Sequence, residues 1–256
     1  MSRNLRLCKE SEVSEFIEQI SSSIDVLTQE FDIITHNLAN VSTVGYKRRC
    51  NSFSKSLEEQ KAGTQEDSSG EINMNSAFDF SQGSIVETSR PLDFALYGKG
   101  FFLIETPEGP RYTRNGIFQT NQNGQIVNSQ GHIVAGEAGP ISIPNNAVMS
   151  EFNVTSEGSI SAGGVAIGKF RLVDFQDNED KLVPAGGGCY RMPEQGIEPV
   201  AAENLVVKQG YQEASNVKII DELVDMIMVS RLYEANMKFI SARKDASSSL
   251  MSVAMG

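Results

Sequence analysis

Few residues in this chain can do chemistry together. It has two histidines, His36 and His132, and a nucleophilic triad needs one of them beside a Ser or Cys and a carboxylate. His36 falls in a heptad-patterned stretch, and His132 follows Gly131 in a strand-like run. Neither has the surroundings of a nucleophile elbow, so both read as structural or solvent-facing. Gly98-Lys99-Gly100 leads into a strand and lacks the Lys-Ser ending of a phosphate loop, which leaves a β-turn as its account. Asp174, Asp177, Asn178, Glu179 and Asp180 gather in one turn without the spacing or the glycine of a calcium loop. Cys8, Cys50 and Cys189 lie far apart without metal-ligand spacing, so neither a disulfide framework nor a zinc site is supported. The sequence thus predicts no enzyme, no cofactor and no metal.

A more specific arrangement sits near the C-terminus. Glu234 lies three residues after Arg231 and four before Lys238, so the three can link along one helix face. Read as a solvated ladder, it leaves Tyr233 and Asn236 as ordinary surface residues. Read as an interface, it has Arg231, Tyr233 and Asn236 meeting neighbouring copies, where Tyr and Arg are productive contacts.

The element that must carry these residues is a stretch from Asn216 to about Val253 free of Gly and Pro. Val217, Ile220, Val224 and Ile227 fall in one heptad frame; Leu232, Ala235, Phe239, Ala242, Ala246 and Val253 fall in another, offset by one residue. A single helix of that length spans about 55 Å and needs a second long helix to cover its stripe. Ile17, Ile20, Ile24, Leu27, Phe31, Ile34 and Leu38 supply one at the other end of the chain. Between the helices, Leu92, Phe94 and Leu96 alternate with Asp93 and Ala95, Phe101-Phe-Leu-Ile is apolar at successive positions, and Asn115-Gly116 and Asn123-Gly124 signal tight hairpins.

These patterns predict an α+β chain, with long N- and C-terminal helices pairing as a coiled coil around a central antiparallel β-rich domain of Greek-key or sandwich character. The expected divisions are a mobile tail at 1–11, a helix at 12–42, a linker at 43–75, the β domain at 76–205 and the C-terminal helical segment at 206–256. Asn40, Ser42, Thr43 and Gly45 mark the sharp exit from the first helix.

With 39% hydrophobic and 21% charged residues, the chain has the composition of an ordinary globular protein. Its net charge of -11 argues against nucleic acid, whose binding draws on Lys and Arg, and against an anionic membrane surface. No apolar run reaches the length of a membrane span, and the first residues lack the apolar stretch of a secretory signal.

Three long motifs, in order, carry a resemblance. Asn37-Leu-Ala-Asn-Val-Ser-Thr-Val-Gly-Tyr-Lys47 resembles the N-terminal signature of the bacterial flagellar rod and hook proteins. Arg90-Pro-Leu-Asp-Phe-Ala-Leu96, Gly98-Lys-Gly-Phe-Phe102 and Tyr112-Thr-Arg-Asn-Gly116 resemble the β-domain motif of that family. Ser215-Asn-Val217, with Glu222, Met226-Ile227, Arg231, Tyr233-Glu-Ala-Asn236 and Lys238, is similar to its closing signature. The short linker and single β domain suit the rod proteins, and Thr88 to Asp93 with Gly136 to Pro144 look more like the proximal-rod type than the distal-rod type.

The resemblance implies an axial structural subunit of the basal-body rod that contributes to motility. It implies export through the flagellar type III apparatus without a cleaved signal, a location in the rod as it crosses the periplasm, and other copies and neighbouring rod proteins as partners. The expected assembly residues are Ile24, Leu27, Phe31, Ile34 and Leu38 of the first helix; Asn40, Thr43, Gly45 and Tyr46 at its exit; and Asn216, Val217, Ile220, Val224, Ile227, Arg231, Leu232, Tyr233, Glu234, Asn236 and Phe239 at the C-terminal end. A non-flagellar coiled-coil adaptor displaying a β domain is the alternative.

Overall fold

The computed structural model describes the backbone of residues 2–51, 76–144, 151–193 and 196–255, with side chains between 20 and 246 in those ranges except Ser76 and Asp177. Contacts divide the chain into two compact units, Met1–Leu38 with Lys218–Gly256, and Ala39–Val217.

The second unit is antiparallel β-structure, dominated by a ten-stranded sheet. Its organising strand, Phe101–Thr106, is apolar at successive positions because both faces of it are covered. Side chains alternate sides along a strand, so Phe102 and Ile104 join a core with Phe94, Phe118 and Val134. Phe101 and Leu103 join another with Phe78, Tyr112, Phe175 and Tyr190. The strand pairs with Gly109–Thr113, placing Leu103 opposite Tyr112, and with Ile133–Gly136, placing Ile104 opposite Val134. Phe102 meets Phe118 edge-on at 5.1 Å between centroids, and Tyr112 meets Phe175 at 4.7 Å.

The two Asn-Gly pairs behave differently. Gly124 takes a φ of 74° inside a turn organised by the Asn121 side chain, which accepts from the amides of Asn123 and Gln125. This turn joins the paired strands Gln119–Thr120 and Ile126–Val127. Asn115-Gly116 makes no such hairpin. The Gly116 carbonyl accepts from the Phe94 amide at 2.9 Å, and a Cβ on Gly116 would lie 1.9 Å from the Phe94 oxygen. A long-range backbone approach, rather than a turn, requires this glycine.

The first unit holds two helices, α1 (Ser2–Ala39) and α2 (Ile219–Met255). Here the expected α+β arrangement with coiled-coil pairing is corrected: the chain is dominated by its β-sheet, and the helices do not bury a continuous apolar seam. Ile34 is buried, but Ile24, Leu27 and Leu38 are half-buried and Phe31 is exposed. On α2, Ile220 is 75% exposed, and Val224, Ile227, Leu232 and Phe239 are exposed as well. The fully buried pair is polar: the Asn37 amide donates to Glu222 Oε2 at 3.2 Å. The cause lies in the density of apolar residues on α2. Ile219, Ile220, Leu223, Val224, Met226, Ile227, Met228, Val229 and Leu232 turn by about 100° per residue and so point to every side. One partner helix covers one stripe only.

Element bounds differ too. α1 occupies residues 2–11 of the range expected as a tail, where Leu5, Arg6, Leu7, Lys9 and Glu10 are good helix formers. The front of the expected linker is strand: Arg48–Asn51 pairs with Ser76–Asp79, and the rest of the linker, 52–75, lies outside the described residues. Within 206–256, Val206–Gln209 and Tyr211–Glu213 are strands, paired with Phe94–Tyr97 and Ile85–Glu87. Their β-branched valines and Gly210, at a φ of 78°, suit a bent pair of strands rather than a helix.

Candidate functional site

No three His, Cys, Asp or Glu side chains come together to hold a metal ion among the described residues. His36 is exposed and His132 half-buried. What the sequence brings together instead falls into two places: the surfaces of the two helices, and a cluster of buried polar groups at the ends of the β unit.

In the helical unit, Asn236 of α2 donates to Ser23 Oγ of α1 at 3.3 Å. Arg231, Leu232, Tyr233, Glu234 and Phe239 are all exposed, as are Ile220, Val224 and Ile227. Tyr233 and Glu234 share a groove of about 360 Å³ with Leu27, Thr28, Phe31 and Val229. The expected helix residues thus present a surface, with Ile34 the one fully buried among them.

The expected exit residues are placed otherwise. Asn40 and Thr43 form a tight turn, in which the Thr43 amide donates to the Asn40 carbonyl and its hydroxyl to Asn40 Oδ1. Tyr46 is half-buried and its amide donates to the Thr43 carbonyl. Gly45 is buried at a φ of 70°. Its amide donates to the Glu213 carbonyl at 2.7 Å, joining the segment after α1 to the segment before α2. Asn216 adds a second tie: Oδ1 accepts from the Arg48 amide at 2.7 Å, while Nδ2 donates to the carbonyls of Asp79 and Ser81. Val217 is buried beside it in sequence. These residues fasten the chain to itself.

At the centre of the fastening are three charges that no local pattern announces. Lys47, Arg114 and Glu213 are 1%, 2% and 0% exposed. Lys47 Nζ lies 2.7 Å from Glu213 Oε1 and donates to the Ser81 carbonyl at the same distance. The Gly83 amide donates to the same carboxylate at 3.0 Å, and Arg114 Nη1 stands 3.6 Å from its other oxygen. The Arg114 guanidinium also lies over the Phe101 ring, 5.3 Å from its centroid. Burial pushes the Lys47 ammonium below its ordinary pKa against the pull of Glu213, with Arg114 nearby adding to the lowering. Arg114 is lowered by burial in the same way, opposed by Glu213, Glu179 and Asp174. A buried cluster of this kind stabilises weakly but penalises every arrangement in which its members part, so it fixes register. Its signals in the sequence are two of the quoted motifs: Lys47 closes the first, and Tyr112-Thr-Arg-Asn-Gly116 holds an arginine that follows a strand end without local reason.

Glu179 borders this cluster. Its carboxyl is raised above the ordinary value, first by burial and then by Asp174. A carboxyl whose folded pKa is raised binds its proton more tightly when folded, so its contribution is full below the unfolded pKa and is lost as pH rises through the folded one. Glu179→Gln is expected to flatten the fall in stability just above pH 4.5, read as urea midpoints across pH. An unchanged pH profile would show that Glu179 titrates alike in both states.

Comparison with known proteins identifies the family. Residues 95–162 match the family model described as the flagellar hook protein FlgE/F/G D1 domain, and residues 208–253 match the flagellar basal body rod FlgEFG protein C-terminal model. The chain is 33% identical over 247 residues to the flagellar basal-body rod protein FlgG of Buchnera aphidicola subsp. Acyrthosiphon pisum, covering 86% of this chain and 92% of that one. It is 32% identical over 231 residues to the rod protein FlgF of Mesorhizobium japonicum, with 87% and 90% covered. To FlgF of Salmonella typhimurium it is 32% identical over 230 residues, with 82% and 86% covered. Relatives of the FlgF and FlgG types thus match to a similar extent. With most of its length aligned to rod proteins, and its β unit fastened by the motifs that carry the resemblance, the chain belongs to the flagellar basal-body rod protein family, a structural family of the bacterial flagellum.

Proposed function

We propose that this chain is an axial subunit of the basal-body rod that assembles with copies of itself and with neighbouring rod proteins through the surfaces of α1 and α2. The observation that carries this reading is α2, a helix apolar on every side and mostly exposed. Such a helix is ordinarily buried on all sides. Among the described residues no helix is long and apolar enough to cross a membrane, so protein neighbours are the cover to expect. In this reading the subunit travels unfolded through the flagellar type III apparatus without a cleaved signal, and folds and docks within the rod where it crosses the periplasm. The proximal position, suggested by Thr88 to Asp93 and Gly136 to Pro144, belongs to the same proposal.

The test is Leu232→Asp with Phe239→Asp. Both side chains are 53% exposed, so the lone subunit loses little when they change. Burying two carboxylates in an assembled layer costs several kcal/mol each. Swimming of a strain that carries only this variant is expected to be abolished, while the purified variant keeps the unfolding midpoint of its β unit. Normal swimming would sink the helical assembly surface.

A further inference from the structure

We infer that the cavity beside the buried charges of the β unit binds a small organic acid, its carboxylate held by the Arg114 guanidinium and its apolar body by Phe78 and Phe80. The cavity belongs wholly to the unit Ala39–Val217 and shares no residue with the helix surfaces on which the assembly reading rests. Its volume, about 660 Å³, is that of a pocket for a small molecule. Arg114 lines it and is 2% exposed, yet among the described residues neither its Nε nor its Nη1 has a hydrogen-bond partner. The Glu213 oxygen it pairs with stands at 3.6 Å, too far for a hydrogen bond. One face of the guanidinium rests over the Phe101 ring, so its unmet demand lies along its edges. A guanidinium carries five N–H donors in one plane, and a buried donor without an acceptor is costly. The acceptors that match such a fork are a carboxylate or a phosphate, each taken through two parallel bonds.

The other lining groups choose between the two. Asp79 is already engaged, accepting from the amide and the hydroxyl of Ser81 at 2.8 and 2.9 Å. Glu179 also lines the cavity, and its Oε1 is buried without a hydrogen-bond partner among the described residues. Burial and then Asp174 raise this carboxyl above its ordinary value, so it keeps its proton to higher pH and can donate it to an anion. Asp180 and Lys99, of opposite charge, are exposed at the lining. A phosphate dianion would bring two negative charges toward Asp79, Glu179 and Asp180, whereas a monocarboxylate brings one. Phe78 and Phe80, 6.1 Å apart between ring centroids, offer the rest of the acid an apolar wall. The occupant that suits both parts of the cavity is a carboxylate on an apolar or aromatic body.

The experiment titrates the full chain with three probes and follows the probe signals by nuclear magnetic resonance: phenylacetate, phenethyl alcohol, which keeps the ring and lacks the carboxylate, and inorganic phosphate. Phenylacetate is expected to saturate, binding about tenfold tighter than either of the others, the worth of a charge-assisted pair. Arg114→Lys should weaken phenylacetate about tenfold, because an ammonium offers no planar fork. Arg114 also belongs to the fastening, so Lys99→Glu supplies an independent reading. Lys99 is exposed and outside the fastening, and its reversal should weaken phenylacetate about threefold while leaving phenethyl alcohol unchanged. Equal binding of phenylacetate and phenethyl alcohol would overturn the role of the carboxylate, and tighter binding of phosphate would overturn the choice of an organic acid. No saturation by about 10 mM phenylacetate would mean that solvent serves Arg114, and would overturn the site. Binding that Lys99→Glu leaves unchanged would lie elsewhere on the chain and overturn it as well.

Discussion

Glu213→Ala is expected to lower the stability of the β unit by about 3–5 kcal/mol, the cost of stranding buried charge. Among the described residues, the change removes the one anion within contact distance of both Lys47 Nζ and Arg114 Nη1. Both cations are almost wholly buried. Lys47, whose pKa burial already lowers, can relieve the strain by losing its proton. Arg114 has no such exit, because a guanidinium keeps its charge throughout the accessible range. The Gly83 amide loses its acceptor as well. Lys47→Met should cost less, since Glu213 then keeps Arg114 and the Gly83 amide. Urea unfolding read by far-ultraviolet circular dichroism measures the ordering: a Glu213→Ala midpoint equal to the parent, or above that of Lys47→Met, would refute the cluster's role as a fastening.

Gly45→Ala comes second, with an expected loss of about 3 kcal/mol, part conformational and part steric. The residue sits at a φ of 70°, and a Cβ there would lie 2.5 Å from the Asn115 nitrogen and 2.7 Å from both the Arg114 carbonyl carbon and the Asn115 Cα. All three are main-chain atoms, so no side chain can swing aside. Relief requires moving the exit turn off the strand end, which breaks the Gly45 amide bond to the Glu213 carbonyl. Gly131→Ala separates the two parts of the cost. Gly131 has a φ of 83° and open space, with nothing within 4 Å of where the methyl would stand, so it reports the left-handed strain alone, about 1–2 kcal/mol. Equal losses at both glycines would show that the approach to Asn115 is readily relaxed.

What the sequence disclosed depended on how local the cause was. The run Phe101-Phe-Leu-Ile is legible as a strand with two covered faces because strand geometry alone sends its side chains to two cores. Asn123-Gly124 is legible because its turn is closed by neighbours, above all Asn121. Asn115-Gly116 is the same dipeptide with a different fate, and the reason, the Phe94 carbonyl pressed against it, lies in another strand. The helices are legible as helices. Their seam is not, since two heptad frames offset by one residue on α2 amount to apolar side chains on all sides, which is a requirement for several neighbours rather than one. Lys47 is the least legible residue. Followed by Arg48 and Arg49, it resembles the start of a solvated linker, and only Glu213, far along the chain, draws it into the interior.

That last separation governs the order in which the molecule can be completed. Lys47 and Glu213 are 166 residues apart, and a contact so distant in sequence bears a large loop-closure entropy before it returns any energy. A chain synthesised from its N-terminus therefore carries Lys47 hydrated and without its carboxylate until the segment holding Glu213 has followed. The fastening acts as a completion check: both motif segments lock only on a polypeptide that has arrived whole, and a fragment truncated before Glu213 has no means of closing it.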